Sequence, residues 1–469
     1  MRYTLTTLLL FGTLIAIAQH DVNWVIGKNL VLSFGNEKCE PEVIILPPGE
    51  STSDFFEGNS SISNSEGELL LCTSGRVAFD GAVNTIPNAS DLGMMSTMGQ
   101  NLILPKPNTD SIFYILSTEV QAGPGQTIPG PPVGLVYSEI KINQSGVASV
   151  ISKHNLLQGE GNCEMLNAVP KSSGDGFWII GHYYQSSSFY VFELTTSGIN
   201  PTPNIYNVGP QIISPPQFDA SPGTAADRPD AIGELCVSPQ YNRIAFTTYY
   251  SGISAIFDFD QSTGVISNAV QLDLMGDGGY GTSFSPDGSK LYMSVVDSSL
   301  ALYGGSFNSP PPTFHSGRII QFDLSSYNQN DIQSSKTEIF ECPDCRYASL
   351  KLGPDGKLYV AKFGDSLNYE TGGFYIDVIE NPNEYGSNCD FTYKAIYLDG
   401  LTGSWGLNNT WERQNYCESN LSAPEVNFTH SKKLIKVVDL TGRETEFKPN
   451  TLLIYIYSDG TTKKVFNAH

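Results

Sequence analysis

The 469-residue chain is poor in charge. Asp, Glu, Lys and Arg together make up only 16% of it, and 26 basic residues face 48 acidic ones. A net charge of −22 repels a nucleic-acid phosphate backbone, which excludes nucleic acid as a partner. Histidine is scarce: the six residues His20, His154, His182, His315, His430 and His469 form neither an H-E-x-x-H nor an H-x-x-x-H spacing, so the zinc-protease signature is missing. The chain also lacks a G-x-S-x-G elbow, a P-loop and a dinucleotide fingerprint. Beyond residue 18 no stretch approaches the ~18 uninterrupted apolar residues that a membrane-spanning helix needs. What is abundant is Gly (45), Pro (28), Tyr (24) and Phe (24). Aromatic residues suit pleated surfaces and Gly and Pro mark reversals, so the composition predicts many short strands joined by turns and argues against helices, coiled coils and disorder.

The two ends of the chain differ from its middle. Residues 1–18 read as a secretory signal peptide: Arg2 supplies the positive charge, residues 5–17 are apolar or small almost throughout, and Ala16-Ile17-Ala18 is an A-x-A cleavage site. All eight cysteines follow it, and an even count in an exported chain allows up to four disulfides. Cys342-Pro-Asp-Cys345 has the spacing of a redox pair or half a zinc site. Without a second such pair or a βαβ setting, a structural bridge in a loop is the expectation. At the other end, residues 430–469 hold seven basic and four acidic groups, reversing the sign of the rest. This marks a separate small β module, reached through a linker over 418–429. Its pattern is LIKVVDL, a turn at Thr441-Gly442-Arg443, then LLIYIYSDGTTKKVF with a second turn at Asp459-Gly460.

These last residues resemble the type A C-terminal sorting domain of proteins exported by the type IX secretion system of Bacteroidetes. The D-L-x-G-R-E turn of that family is matched by Asp439, Leu440, Gly442, Arg443 and Glu444. Its basic terminal hairpin is matched by Asp459, Gly460, Lys463 and Lys464. The resemblance implies export across both membranes of a Gram-negative cell, the secretion machinery as a partner, and a secreted or cell-surface location.

Between the ends one unit recurs: a strand, a turn carrying Pro with Gly or Asn, and a second apolar strand. The clearest copies are 283–294 (SFSPDGSKLYMS) and 351–361 (KLGPDGKLYVA). Looser ones are 61–73, 103–117, 168–182 and 236–247. Pro fixes φ and Asp-Gly or Asn supplies the reversal, so each copy is a hairpin. Further strands follow most copies, at 134–142, 189–194, 255–260, 317–324 and 373–379. Such a meander cannot bury both faces alone, so the units must stack around an axis. Residues 19–417 are therefore expected to form an all-β, seven-bladed β-propeller, with six blades as the alternative. The seventh blade would arise from pairing residues near Trp405 with the N-terminal strands around Trp24, which closes the ring. The N-terminal segments also resemble the propellers of large secreted Bacteroidetes proteins, in NWVIGKNLVLSF and NLILPKPNTDSIFYILST. The Pro-Asp-Gly motif resembles repeats of periplasmic translocation-protein propellers. Both resemblances imply fold and not chemistry.

Few residues qualify as chemistry. Tyr250, Tyr280 and Trp405, in or beside loops, are the candidate ligand-binding residues, because exposed rings stack on sugars and anchor interfaces; blade packing is the competing role. Glu164, Glu234 and Asp277 could face a central channel, where paired carboxylates serve glycosidases. Asp287 and Asp355 are expected to be turn residues, and His182 a packed residue rather than a base. No catalytic residue and no metal ligand is assigned. Calcium is the one cofactor considered, for the acidic stretches 273–279 and 258–260, which lack EF-hand spacing. The expectation is an exported, non-catalytic binding, adhesion or scaffold protein for an unidentified protein or glycan, with a carbohydrate-active hydrolase as the alternative.

Overall fold

A computed structural model describes residues 20–411, apart from 28–29, 36–39, 47–54, 56, 94–99, 119–133, 160, 214–228, 297–316, 343–344, 364–372 and 404. Beyond them it describes 434–439, 443, 445, 451–457 and 462–467. Two compact units are formed, residues 1–417 and residues 418–469. The first contains seven antiparallel sheets in chain order. Sheet one is β1 (Asn23–Ile26), β2 (Leu30–Ser33) and β3 (Glu42–Ile45); sheet two is β4 (Ser60–Ser63), β5 (Leu69–Thr73) and β6 (Ala78–Asp80). Sheet three is β7 (Leu102–Pro105), β8 (Ile112–Ser117), β9 (Leu135–Ile142) and β10 (Ala148–Gln158). In sheet four, β11 (Asn162–Pro170), β12 (Phe177–Tyr183) and β13 (Ser186–Thr195) are followed by β14 (Gly198–Ile199) and β15 (Asn204–Ile212), which both pair with β13. Sheet five is β16 (Gly233–Val237), β17 (Arg243–Thr248), β18 (Ser254–Asp260) and β19 (Val265–Leu272). Sheet six is β20 (Gly278–Phe284), β21 (Lys290–Val296), β22 (Gly317–Asp323) and β23 (Thr337–Cys342). Sheet seven is β24 (Arg346–Leu352), β25 (Leu358–Phe363), β26 (Tyr375–Ile379) and β27 (Phe391–Tyr397).

The alternation of side chains along each strand decides how these sheets assemble. In β17, Ile244 and Phe246 point to a cluster shared with sheet four, while Ala245 points to one shared with sheet six. The same sorting recurs around the molecule, giving a buried apolar cluster between each pair of consecutive sheets and one between sheet seven and sheet one. Seven sheets with seven shared seams make a ring. The chain is a seven-bladed β-propeller, and the six-bladed alternative falls away. All six recurring sequence units are the inner hairpins of blades two to seven, joining β4–β5, β7–β8, β11–β12, β16–β17, β20–β21 and β24–β25.

Closure of the ring differs from the expected strand pairing. Inner strands run side by side in one direction: Asn101 Nδ2 donates to the Gly58 carbonyl (2.5 Å) and the Ile103 N–H to Ser60 Oγ (3.1 Å), aligning β7 with β4. Strand β1 runs against β4 instead, since Asn23 meets Ser63 (3.0 Å) and Val25 meets Ser61 (3.5 Å). It thus has the sense of a second strand, and residues 405–411 take the innermost place of blade one. They form no strand. Their backbone bonds reach neighbouring blades: Ser349 N–H donates to the Trp405 carbonyl (3.1 Å) and Asn409 N–H to the Asn59 carbonyl (2.8 Å). Contact with blade one is through side chains. Trp405 and Leu407 join the cluster of Trp24, and Asn408 Nδ2 donates to Asp21 Oδ1 (2.7 Å). Gly406 explains the tight fit, because a Cβ there would lie 1.4 Å from the Glu57 carbonyl oxygen.

The Cys342–Cys345 disulfide is present, at the crossover from blade six to blade seven. Cys72 and Cys389 are buried thiols, and burial pushes the Cys389 thiol up to about 11. Cys39 and Cys417 lie outside the described residues, as do Ala16 and Ala18 of the expected cleavage site.

The second unit is a three-stranded antiparallel sheet of β28 (Leu434–Val438), β29 (Thr451–Tyr457) and β30 (Thr462–Asn467). Asp439 and Arg443 of the expected sorting motif shape a turn: the Asp439 N–H donates to the Arg443 carbonyl (2.9 Å) and the Arg443 N–H to Asp439 Oδ1 (3.1 Å). Lys463 and Lys464 lie on β30, opposite Tyr455 and Ile454. Leu440, Gly442, Glu444, Asp459 and Gly460 lie outside the described residues.

Candidate binding site at one end of the channel

Each inner strand begins at the same end of the ring, so residues at strand starts from different blades converge there. Three of the sequence candidates do so. Tyr250 follows β17, Tyr280 lies near the start of β20, and Trp405 opens the axial segment. Their rings form a chain through Tyr249, with centroids 4.9 Å apart for Tyr249–Tyr250, 5.7 Å for Tyr249–Tyr280 and 6.3 Å for Tyr280–Trp405. They are not exposed platforms: Tyr250 is 5% exposed, Tyr280 3% and Trp405 7%. The rings cover one another and pack with blades one and seven in a single cluster, so their apolar faces serve the seam.

Carboxylates surround this aromatic chain. Tyr280 Oη donates to Glu57 Oε1 (3.2 Å). Burial, then the negative charges of Glu57 and Glu234, hold the Tyr280 phenol well above its usual range. Tyr250 is raised likewise by burial, then by Tyr249, Asp230 and Glu164. Burial also raises Asp230, although the Ser251 N–H donates to its Oδ1 (2.8 Å).

Glu234 is the hub of the channel wall. One carboxylate oxygen accepts from the Thr282 N–H (3.0 Å), and the other from Ser349 Oγ (2.6 Å) and from the Lys351 ammonium (2.8 Å). One side chain of blade five thus ties down the inner strands of blades six and seven. Gln100 does the same on the far side, donating to the Leu235 carbonyl (2.8 Å) and accepting from the N–H groups of Leu166 and Leu235 (both 3.2 Å). The cavity between Glu57, Glu234, Tyr280, Lys351 and Asn409 has room for about one water molecule. Asn409 fills much of the axis, its amide donating to the carbonyls of Asn101 (3.0 Å) and Leu166 (3.3 Å).

Glu164, buried on β11, joins this group of carboxylates, since its charge bears on Tyr250. Asp277 is paired with Arg318 (2.5 Å) and does not join Glu234. Asp287 and Asp355 are turn residues, accepting the N–H groups of Ser289 (2.9 Å) and Lys357 (3.2 Å). His182 is fully buried between Phe189 and Phe246, and burial pushes its imidazole down to about 4. Among the described residues no three His, Cys, Asp or Glu side chains converge as metal ligands. Asp258 and Asp260 instead accept from Asn268 (2.7 Å) and Ser262 (2.6 Å). Sequence reasoning did not single out Glu57, Gln100, Asp230, Lys351, Asn408 or Asn409. The available signal was a polar residue at or before an inner strand otherwise made of apolar and small residues.

A solved β-propeller domain is among the structural neighbours. That domain, of Myceliophteria thermophila Cps50, matches with 10% identity over 74% of this chain and 94% of its own, at a TM-score of 0.37. The periplasmic gluconolactonase of Pseudomonas aeruginosa matches with 11% identity over 82% and 98%, at 0.42. A Bacteroides uniformis protein provisionally described as a 6-phosphogluconolactonase matches with 14% identity over 81% and 98%, at 0.41. Likeness at this level says nothing of chemistry. No family model and no curated protein matches the chain. Among the described residues no helix is long and apolar enough to cross a membrane.

Proposed function

We propose that this chain is an exported, secreted or cell-surface β-propeller that acts as a binding or scaffold module, delivered by its C-terminal residues. The observation that carries the non-catalytic part is the occupied channel. Residues 405–411 fill the axis, and Glu234, a candidate acid, is engaged by Lys351, Ser349 and Thr282. A glycosidase needs two carboxylates flanking a sugar, with roughly 5–9.5 Å between them, whereas the space beside Glu234 has room for about one water. Recognition then belongs to the blade ends, where a rigid ring displays variable connections. The acidic balance of the chain favours a partner carrying positive charge.

Two experiments test this reading. A chain truncated after Cys417 is expected to remain inside the native host while melting like the intact propeller; its appearance outside the cell would overturn delivery by the C-terminal residues. The purified full chain, incubated with pooled polysaccharides, is expected to release no reducing ends. Hydrolysis that disappears on Glu234→Gln would restore the hydrolase alternative.

A further inference from the structure

Blade seven holds a second pair of buried opposite charges, away from the channel. Lys362 on β25 and Asp377 on β26 are both 0% exposed, with Nζ 2.5 Å from Oδ1. Every other described ion pair keeps at least one partner in partial contact with solvent. The surroundings are aromatic. Lys362 Nζ lies 4.1 Å from the ring centre of Tyr393, on which Phe340 stacks at 5.3 Å. Two donors hold the carboxylate: Tyr347 Oη on Oδ2 (3.1 Å) and the Lys394 N–H on Oδ1 (2.8 Å).

A fully desolvated ion pair is costly, and the same burial favours its neutral form, an amine beside a carboxylic acid. Burial pushes the Asp377 carboxyl above its usual range, against the opposing charge of Lys362. A neutral amine held in contact with a carboxyl group is a nucleophile at high effective concentration. The Tyr347 hydroxyl is placed as an oxyanion donor to Oδ2, and the Lys394 N–H holds Oδ1, the oxygen that leaves.

We propose that Lys362 and Asp377 condense to an intramolecular isopeptide bond between β25 and β26. A proton passes from Nζ to Oδ1, giving amine and acid. The Nζ lone pair attacks Cγ, and the charge that develops on Oδ2 is met by the Tyr347 hydroxyl. A second Nζ proton goes to Oδ1, the Cγ–Oδ1 bond breaks, and one water leaves. Ammonium and carboxylate thus become an amide and water, with no co-reactant and no change of oxidation state. Burial of both side chains beside the Tyr393 ring disfavours the reverse hydrolysis.

Intact-mass spectrometry of the reduced full chain decides this. The expected mass is one water below that calculated from the N-terminus the purified protein carries, and a protease digest should contain a branched peptide joining Lys362 to Asp377. Lys362→Ala and Asp377→Ala should each restore the full mass. Denatured protein suffices for that reading, so poor folding of either variant does not obscure it. Tyr347→Phe keeps the ring but removes the hydroxyl, and should slow bond formation on the order of a hundredfold. A wild-type mass equal to the one calculated from that N-terminus would overturn the proposal. So would a lost water that maps elsewhere, such as a succinimide at Asp399-Gly400.

Discussion

Two seams of the ring are built from the same motif and solve different problems. Between blades six and seven the chain is continuous, and Tyr292 of the first Pro-Asp-Gly hairpin donates its hydroxyl to the Pro382 carbonyl of the next blade (2.9 Å). Between blades seven and one the partners are far apart in sequence and no ladder joins the axial segment to β1. There Tyr359, the matching residue of the second hairpin, donates to Asp355 within its own turn (2.8 Å). Its ring packs on Trp24 (5.5 Å) and Phe34 (5.3 Å). The first tyrosine is a hydrogen-bonded strut and the second an apolar wedge. The motif therefore specifies a hairpin and leaves the seam to the side chains that follow it.

The largest expected effect separates the two tyrosines. Truncating a buried aromatic costs about 3–5 kcal/mol, and Tyr359→Ala is expected at the upper end because residues 405–411 are held to blade one by side chains and not by a ladder. Tyr292→Ala should cost less in urea unfolding, and Tyr359→Phe should recover most of the loss whereas Tyr292→Phe should not. Equal behaviour of the two series would erase the distinction. A middling effect is expected at the turns. A Cβ on Gly353 would sit 2.5 Å from the Tyr359 ring, so Gly353→Ala should cost about 1–3 kcal/mol by pushing the wedge aside. Ser285→Ala, the counterpart in blade six, loses bonds to Asp287 (2.8 Å) and Lys290 (2.9 Å) and should cost about 1 kcal/mol.

The smallest effect is one of sign. Burial pushes the Asp287 carboxyl up, but the bonds from Ser289 and Ser285 and the charge of Lys290 outweigh it and leave it below the usual value. Its contribution is present above the unfolded value and is lost as pH falls through the folded one. Asp355 is more deeply buried, and Tyr359 and Lys357 offset that only in part, so it stays above the usual value. Its protonated form is favoured in the fold, and stability declines as pH rises through that raised value. Melting wild type against Asp287→Asn and against Asp355→Asn from about pH 3 to about pH 7 should give differences of opposite slope. Slopes of one sign would mean that both turns present the same environment.

The fold was legible where local chemistry dictates it. Pro, Gly and Asn fix the hairpins, and alternating residues fix two buried faces, so blades two to seven could be read directly. Blade one could be placed but not its closure, because 405–411 carries Gly406 and two asparagines whose partners are set only by the assembled ring. Tyr250, Tyr280 and Trp405 were recognisable as unusual and do gather at one end. Their burial was not legible, since it depends on side chains from blades distant in sequence. For the same reason nothing near Glu234 announced Lys351 or Ser349 as its partners.

The axial segment also sets an order of events for a chain made from its N-terminus. Asp21 is emitted among the first residues of the ring, and its amide partner Asn408 follows 387 positions later. Until then the inner edge of the first blade stays open and available to any other extended strand nearby. Assembly must wait for so distant a contact, which makes it slow. A permuted gene that begins at Trp405 would supply the missing piece first and should refold faster, with the same ring at the end.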